Sequence, residues 1–288
     1  MGKTLILYVF HEINANVDTF LKRGLINSQD KEFIFIFNNI DANPTTEKWK
    51  FLHNYNNMHL FIRPNIGHDF QGWNEALFLP ASDLNKKIIY SSNKDTLEPA
   101  MHTLFDKFVF VNSTVRGPYV PLYVTSDWVD CFTSKLSTDV KMTGISINFI
   151  SGVTYESTKS FIKANYGFTP IDHTHIQSMI YSLDREGLDI LLKYQLFNSG
   201  KQFPRDKWEL ISSSEIGMSS ILRNEKKSLY SYMMTQGLVR YNEVQKNPDI
   251  WCIKDFYPLT EMMFVKDNRM NIFPEQSRYD ANYSRQLV

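Results

Sequence analysis

Several stretches of the chain put charged and hydroxyl side chains where they can do chemistry. Arg63-Pro-Asn-Ile-Gly-His-Asp-Phe-Gln-Gly-Trp73 gathers a cation, an imidazole and a carboxylate around Pro64 and Gly67. A planar guanidinium matches a phosphate or the face of a base, and Asp69 can accept hydrogen bonds from sugar hydroxyls. The residues alone leave a second reading open, in which Arg63 and Asp69 simply pair with each other. Phe108-Val-Phe-Val-Asn-Ser-Thr-Val-Arg-Gly-Pro-Tyr119 ends an apolar run on Asn112, Ser113 and Thr114 and turns at Arg116-Gly-Pro. Hard cations take oxygen ligands. Amide and hydroxyl oxygens are weak ones, so a metal here would lean on substrate phosphates; a plain strand-ending turn fits equally well.

Ser212-Ser-Ser-Glu215 reads as the start of a helix. The positive end of the helix dipole would keep Glu215 ionised, and in a crevice such a carboxylate is a candidate general base for an alcohol. A glutamate that serves only the helix end is the competing reading. His173-Thr-His175 has no third ligand spaced nearby, which favours a pocket histidine over a zinc site. Glu261, Lys266 and Arg269 surround an apolar core near the end of the chain, where they either close a crevice over a pyrophosphate or dock the tail.

The sequence holds no phosphate-cradling P-loop, no GxGxxG, no HExxH and no GxSxG elbow. Kinases, P-loop hydrolases, ordinary dinucleotide oxidoreductases, zinc proteases and lipases lose weight accordingly.

The positioning elements follow from hydrophobic runs. Thr4 to Phe10, Glu32 to Asn39, Met58 to Asn65, Phe105 to Ser113 and Asp139 to Phe149 read as strands, the first four buried on both faces. Helices are predicted over Asn16 to Leu25, Thr45 to Tyr55 and Gly72 to Leu79, then over His175 to Phe197 and Ser212 to Met233. Alternation of this kind predicts an α/β fold, a mostly parallel sheet flanked by helices, with a more helical C-terminal half. Ligands of such sheets bind beyond the carboxyl ends of the strands. His11-Glu12, Asn38-Asn39, Arg63 to Asp69 and Asn112 to Gly117 all follow strand ends.

Composition narrows the classes. The chain has 288 residues, 31 basic and 31 acidic, with 43% hydrophobic and 22% charged, which describes a globular protein. Zero formal net charge removes the broad attraction that non-specific nucleic-acid and membrane-surface binders use. Two cysteines, Cys131 and Cys252, make neither a disulfide framework nor a four-thiolate zinc site. No run reaches the length of a transmembrane segment, and the N-terminus lacks a signal-peptide pattern, so a cytoplasmic protein is expected.

In their order, RPNIGHDFQGW, FVFVNSTVRGPY, HIQSMIYSLDREGL, SSSEIGMSSIL and YPLTEMMFVKDNR resemble a family. It is the glycosyltransferase-like group of algae, fungi, bacteria and large DNA viruses related to rhamnan-synthesis-type enzymes. The resemblance spans about Thr4 to Arg269. It implies a GT-A fold over residues 1–288: a nucleotide-binding half over about 1–120, an acceptor and catalytic half over about 121–270, and a tail over 271–288. It also implies transfer from a nucleotide-sugar donor to a carbohydrate or other hydroxyl acceptor, the inverting reaction in polysaccharide synthesis.

Position by position, the resemblance puts His11 and Glu12 near base and ribose. It puts Arg63, Asn65, Gly67 and Asp69 against nucleotide and donor sugar. Asn112, Ser113 and Thr114, with Arg116 after them, fall where such enzymes carry Asp-x-Asp for a divalent ion. Both acidic positions are missing, so a manganese or magnesium ion held by Asn112 and Thr114 is expected to be weak or absent. Glu215 matches the base that deprotonates the acceptor; Asp127, Glu156, Asp172 and Glu261 are its rivals. His175, Gln177 and Ser178 would line the acceptor side, and Lys266 or Arg269 would offset charge on the leaving diphosphate. The alternatives are a catalytically weak sugar- or nucleotide-binding module and another α/β nucleotide-using transferase.

Overall fold

A computed structural model describes residues 2–41, 47–91, 97–120, 124–149, 153–232, 237–244 and 263–266. The apolar runs become strands: β1 (Thr4–Phe10), β2 (Lys31–Phe37), β3 (Met58–Ile62), β4 (Ile88–Tyr90) and β5 (Lys107–Asn112). These five pair in parallel, in the order β5-β1-β2-β3-β4. Parallel strands covered on both faces need near-continuous apolar sequence, which β1 and β5 have.

The sheet continues with residues from the second half of the chain. After the short β6 (Val115–Arg116) come β7 (Val140–Gly144), β8 (Ile147–Asn148), β9 (His175–Ile176), β10 (Ile180–Asp184), β11 (Ser228–Ser231), β12 (Leu238–Val239) and β13 (Val265–Lys266). β10 inserts antiparallel between β5 and β7, giving the nine-stranded order β12-β11-β7-β10-β5-β1-β2-β3-β4. β8 pairs with β9 and β6 with β13 in two small ribbons.

Helices cover both faces: α1 (Ala15–Arg23), α2 (His68–Leu77), α3 (Trp128–Thr133), α4 (Val153–Tyr166), α5 (Arg185–Lys193), α6 (Lys207–Leu210) and α7 (Gly217–Asn224). Side chains alternate along each strand. Leu7, Val9 and Phe110 therefore join Trp73 of α2 and Leu188 of α5 in one core, while Tyr8, Phe10 and Val111 join Phe20 of α1 and Phe132 of α3 in the other. Gly72 brings α2 close to the sheet: a Cβ there would lie 3.1 Å from Ile36 and Val9 side-chain atoms.

Two helix expectations are corrected. His175 to Phe197 is β9, β10 and then α5, capped by Asp184, whose carboxylate accepts from Gly187 N at 2.8 Å. The stripe of Ile176, Ile180 and Leu183 fits a helical period, but flanking by β5 and β7 buries both faces and decides for strand. A Cβ at Gly187 would meet the Lys141 carbonyl oxygen at 2.7 Å, so this glycine is the close-packing point of α5 on β7.

Ser212 to Met233 differs as well. The helical stretch opens at Lys207, where Asp206 accepts from Trp208 N and Glu209 N, and it ends at Asn224 before β11. Asp139 to Phe149 divides into β7 and β8, and Glu47–His53 is a 3-10 turn rather than a longer helix. The start of that predicted helix, Thr45 and Thr46, lies outside the described residues.

Candidate active site

The carboxyl edge of the sheet brings together side chains far apart in sequence. Asn112 ends β5, and the residues before β10 run alongside it, with Asn112 N donating to the Met179 carbonyl at 3.0 Å. From the α2 side, Gly67 (φ 72°) and His68 (φ 55°) turn the chain sharply into the helix and present Asp69. A histidine at positive φ is an uncommon backbone state, the kind that persists where surrounding contacts fix it. Here His68 Nε2 lies 3.2 Å from the Arg205 carbonyl.

Asn112 Nδ2 donates to Asp69 Oδ2 at 2.8 Å, and Asn112 Oδ1 accepts from Thr114 N at 3.1 Å and from Thr114 Oγ1 at 2.5 Å. Burial pushes the Asp69 carboxyl up to about 6; the Asn112 bond and the nearby His68 and His11 oppose the rise, and Glu215 adds to it.

Glu215 sits opposite, on a π-helical turn (Ile211–Ile216) between α6 and α7. It is thus inside a helical stretch, and the expected help from a helix start is replaced by specific hydrogen bonds. Its Oε2 accepts from Ser178 N at 2.7 Å and from the Ser178 hydroxyl, and its Oε1 lies 3.5 Å from His175 Nε2. Burial would raise this carboxyl, but His175 and Ser178 together hold it below its ordinary value. His175 Nδ1 meets the His173 carbonyl at 2.7 Å. A carbonyl oxygen only accepts, so Nδ1 carries a hydrogen and Nε2 faces the carboxylate.

Serines support the π turn: Ser213 Oγ donates to the Glu209 carbonyl at 2.7 Å, and Tyr166 donates to the Ser213 carbonyl at 2.5 Å. Insertions of this type recur at functional sites. Tyr181 of β10 stacks on Phe110 at 4.5 Å and keeps a buried hydroxyl with no hydrogen-bond partner among the described residues, its pKa raised by burial and by the charges of Asp69 and Glu215.

The edge therefore gathers Asp69, Asn112, Thr114, His175, Ser178 and Glu215, with His11 close enough to act on Asp69. His11 and Glu12 are exposed at the end of β1, 3.8 Å apart, and Asn65 is exposed beside Gly67. Ser113 is buried, its carbonyl taking Asn16 Nδ2 at 3.0 Å, while Arg116 Nε donates to Asn16 Oδ1 at 3.0 Å. Arg116 and Lys266 stand on the β6–β13 ribbon, and Gln177 accepts from Ser146 Oγ at 2.7 Å. Arg269 and Glu261 lie outside the described residues. Among the rival carboxylates, Asp172 pairs with buried Arg223, Asp127 caps α3 and bonds Lys31, and Glu156 is exposed on α4.

The expectation for Arg63 needs correction. Its side chain is 1% exposed, and it pairs neither with Asp69 nor with solvent. Nε and Nη2 form a fork on Glu75 at 2.8 and 3.0 Å, Nη1 donates to Asn38 Oδ1 at 2.7 Å, and Nη2 also reaches the Ile66 carbonyl at 2.8 Å. This arginine ties the ends of β2 and β3 to α2; it is an internal clamp rather than a phosphate contact. The sequence pointed to Asn38 as a strand-end residue but did not single out Glu75 or Tyr181. Glu75 carried one signal, a lone acid inside the apolar Trp73–Leu79 stretch.

Among the described residues no group of three His, Cys, Asp or Glu side chains is placed to hold a metal. Asn112 Oδ1 is occupied by Thr114, which leaves the second Asp69 oxygen and the Thr114 hydroxyl as open donors. A hard cation takes six or more oxygens, so one bound here would draw the rest from diphosphate and water.

Asp69 makes a testable pH prediction. Its raised pKa means that the folded state holds the proton more tightly than the unfolded chain, whose ordinary value is 3.8. The stability this group contributes is complete below about pH 4 and lost as pH rises through about 6. Asp69→Asn is expected to exceed wild type at neutral pH by on the order of 2 kcal/mol, with the gap closing near pH 4. Urea midpoints at the two pH values measure it; an equal gap at both would contradict the assignment.

No family model and no curated protein matches the chain. Solved structures do show partial likeness. Mannosyltransferase PcManGT from Pyrobaculum calidifontis, in complex with GDP-mannose and Mn2+, aligns with a TM-score of 0.43 and 10% identity over 80% of this chain and 54% of its own. The apo structure of WbbM, a bifunctional glycosyltransferase, aligns with a TM-score of 0.35 and 9% identity over 100% of this chain and 52% of its own. The chain spans about half the length of each. The chain itself has an α/β fold, a large mostly parallel sheet flanked by helices, with a cluster of acid, amide, imidazole and hydroxyl groups at the carboxyl edge.

Proposed function

We propose that the protein is a glycosyltransferase that moves a sugar from a nucleoside-diphosphate donor to a hydroxyl of a glycan or similar acceptor, with inversion. The observation that carries this reading is the pair of half-buried carboxylates at the carboxyl edge of the sheet, Asp69 raised and Glu215 lowered in pKa. Titratable groups driven apart by their surroundings mark acid–base and binding roles in active sites. The ordered motifs of the sequence support the same reading.

In the proposed reaction the acceptor oxygen attacks the anomeric carbon in line. The new carbon–oxygen bond forms as the bond to the diphosphate breaks, and the acceptor proton passes to Glu215. The transition state has oxocarbenium character, as in glycoside hydrolysis. Ser178 and His175 fix the carboxylate, so little reorganisation is needed as the proton arrives. Asp69, positioned by Asn112, accepts hydrogen bonds from donor-sugar hydroxyls. Arg116 and Lys266 are the cations of the neighbouring ribbon that would offset charge on the departing diphosphate. A divalent ion, when bound, would neutralise the same diphosphate, with Asp69 and Thr114 as its protein ligands.

Loss of both acidic positions around Ser113 favours one second reading, a binding module with little turnover. Thermal unfolding against UDP-, GDP- and dTDP-sugars and the free diphosphates, with EDTA or Mn2+, separates the possibilities. At least one donor is expected to stabilise the fold, by about 2.7 kcal/mol at a hundredfold excess over Kd. EDTA is expected to leave most of that shift and most of any donor turnover. Stabilisation without turnover favours the binding module. No response to any donor sinks both readings, and complete loss with EDTA sinks the weak-metal expectation.

A further inference from the structure

Beside the Asp69–Glu215 cluster but lined by none of its residues, a cavity of about 750 Å³ opens between α2, the edge strand β4 and the 199–202 segment. Its size falls within the roughly 300–1,000 Å³ of small-molecule sites. We infer that this cavity is a second binding site, for an uncharged saccharide. The inference goes beyond the transferase reading and does not depend on it.

The charges in the wall already have partners. Glu75 is held by the Arg63 fork, and Lys86 Nζ lies 2.6 Å from Asp83. The Lys201 ammonium donates to the Gln195 carbonyl and sits 5.2 Å from the Phe203 ring, and burial lowers its pKa to about 8. Glu98 lies near Lys86 and is exposed. No cationic cradle remains among the described lining residues, which disfavours a phosphate-bearing ligand.

The remaining wall suits hydroxyls and a C–H face. Ser82, Ser91, Ser199 and Gln202 are exposed at the cavity, and Tyr90 is 57% exposed on β4, with the half-buried Phe78 nearby. A pyranose offers an apolar C–H face to such a ring and hydroxyls to amides and serines; an aromatic surface ringed by neutral polar groups is the matching chemistry. The cavity also shares α2 with the active edge. Gln71 bonds both Glu75 and the Lys201 carbonyl, at 3.0 Å each, two residues beyond Asp69.

The test uses the full chain without any nucleotide donor. Backbone amide NMR spectra are recorded during titration with mono- to tetrasaccharides of mannose, galactose, glucose and rhamnose, and separately with UMP and GMP. At least one saccharide is expected to shift resonances of residues 88–91 and 199–202. Tyr90→Ala should weaken its Kd by about tenfold, and Tyr90→Trp should restore or tighten it. Glu215→Gln should leave the Kd unchanged, which separates this site from the proposed catalytic one. Both tyrosine variants sit at an exposed edge-strand position, so folding is retained. The inference is overturned if no saccharide moves those resonances, if the Kd ignores both Tyr90→Ala and Gln202→Ala, or if only the nucleotides bind there.

Discussion

Glu215→Gln is expected to keep the fold and donor binding while cutting sugar transfer by about 10²–10⁴-fold, the usual worth of a positioned general base. The amide conserves shape, and its oxygen can still accept from Ser178 N and Oγ, which hold Oε2 in the native protein. What it cannot do is accept the acceptor's proton. The readout is single-turnover transfer beside donor Kd, because loss of rate at constant Kd isolates a transition-state interaction. Retention of more than about a tenth of the wild-type rate would remove Glu215 from the role. Asp69, whose carboxyl is raised to about 6, would then be the first candidate for the base. His175→Ala provides an internal control. It removes a contact to Glu215 Oε1 without removing the carboxylate, so a smaller loss and a displaced pH–rate profile are expected.

The largest stability effect is expected at Arg63. Arg63→Met removes donors from Glu75, Asn38 and the Ile66 carbonyl at once. Breaking a buried ion pair from one side typically costs about 3–5 kcal/mol, since the partner keeps its charge without compensation. The double change Arg63→Met with Glu75→Leu is expected to recover much of that loss, because apolar packing can replace a buried pair. Urea unfolding of the two single variants and the double gives the coupling directly. A loss below about 1 kcal/mol for Arg63→Met, accompanied by loss of donor binding, would return Arg63 to the nucleotide contact that its loop position first suggested.

Those two residues show which parts of the molecule were legible in the sequence. β1 and β5 could be read from local sequence because strands covered on both faces must be apolar throughout. β10 could not, since its Ile180 and Leu183 spacing suits a helix as well as a strand, and only its insertion between β5 and β7 settles the choice. Asp69, Asn112, His175, Ser178 and Glu215, singled out by residue type, lie together at one edge. Their partnerships were invisible because they are long-range. Asp69 meets Asn112 across 43 positions and Ser178 meets Glu215 across 37. Arg63 shows the converse. Its short segment advertised a ligand contact, whereas its partner Glu75 lies 12 positions on, in α2. The π turn was also beyond reach, because its serines read equally well as helix caps.

The central claim is that a nucleoside diphosphate binds at the carboxyl edge of the sheet, between the Asp69–Asn112 pair and Glu215. A crystal structure with the best-binding diphosphate of the donor panel tests it most directly. The account predicts the diphosphate beyond the ends of β1 and β5, within hydrogen-bonding reach of the Thr114 hydroxyl, with Arg63 still clamped on Glu75. A diphosphate seated elsewhere, or one that draws Arg63 away from Glu75 and leaves Asp69 and Glu215 untouched, would contradict it.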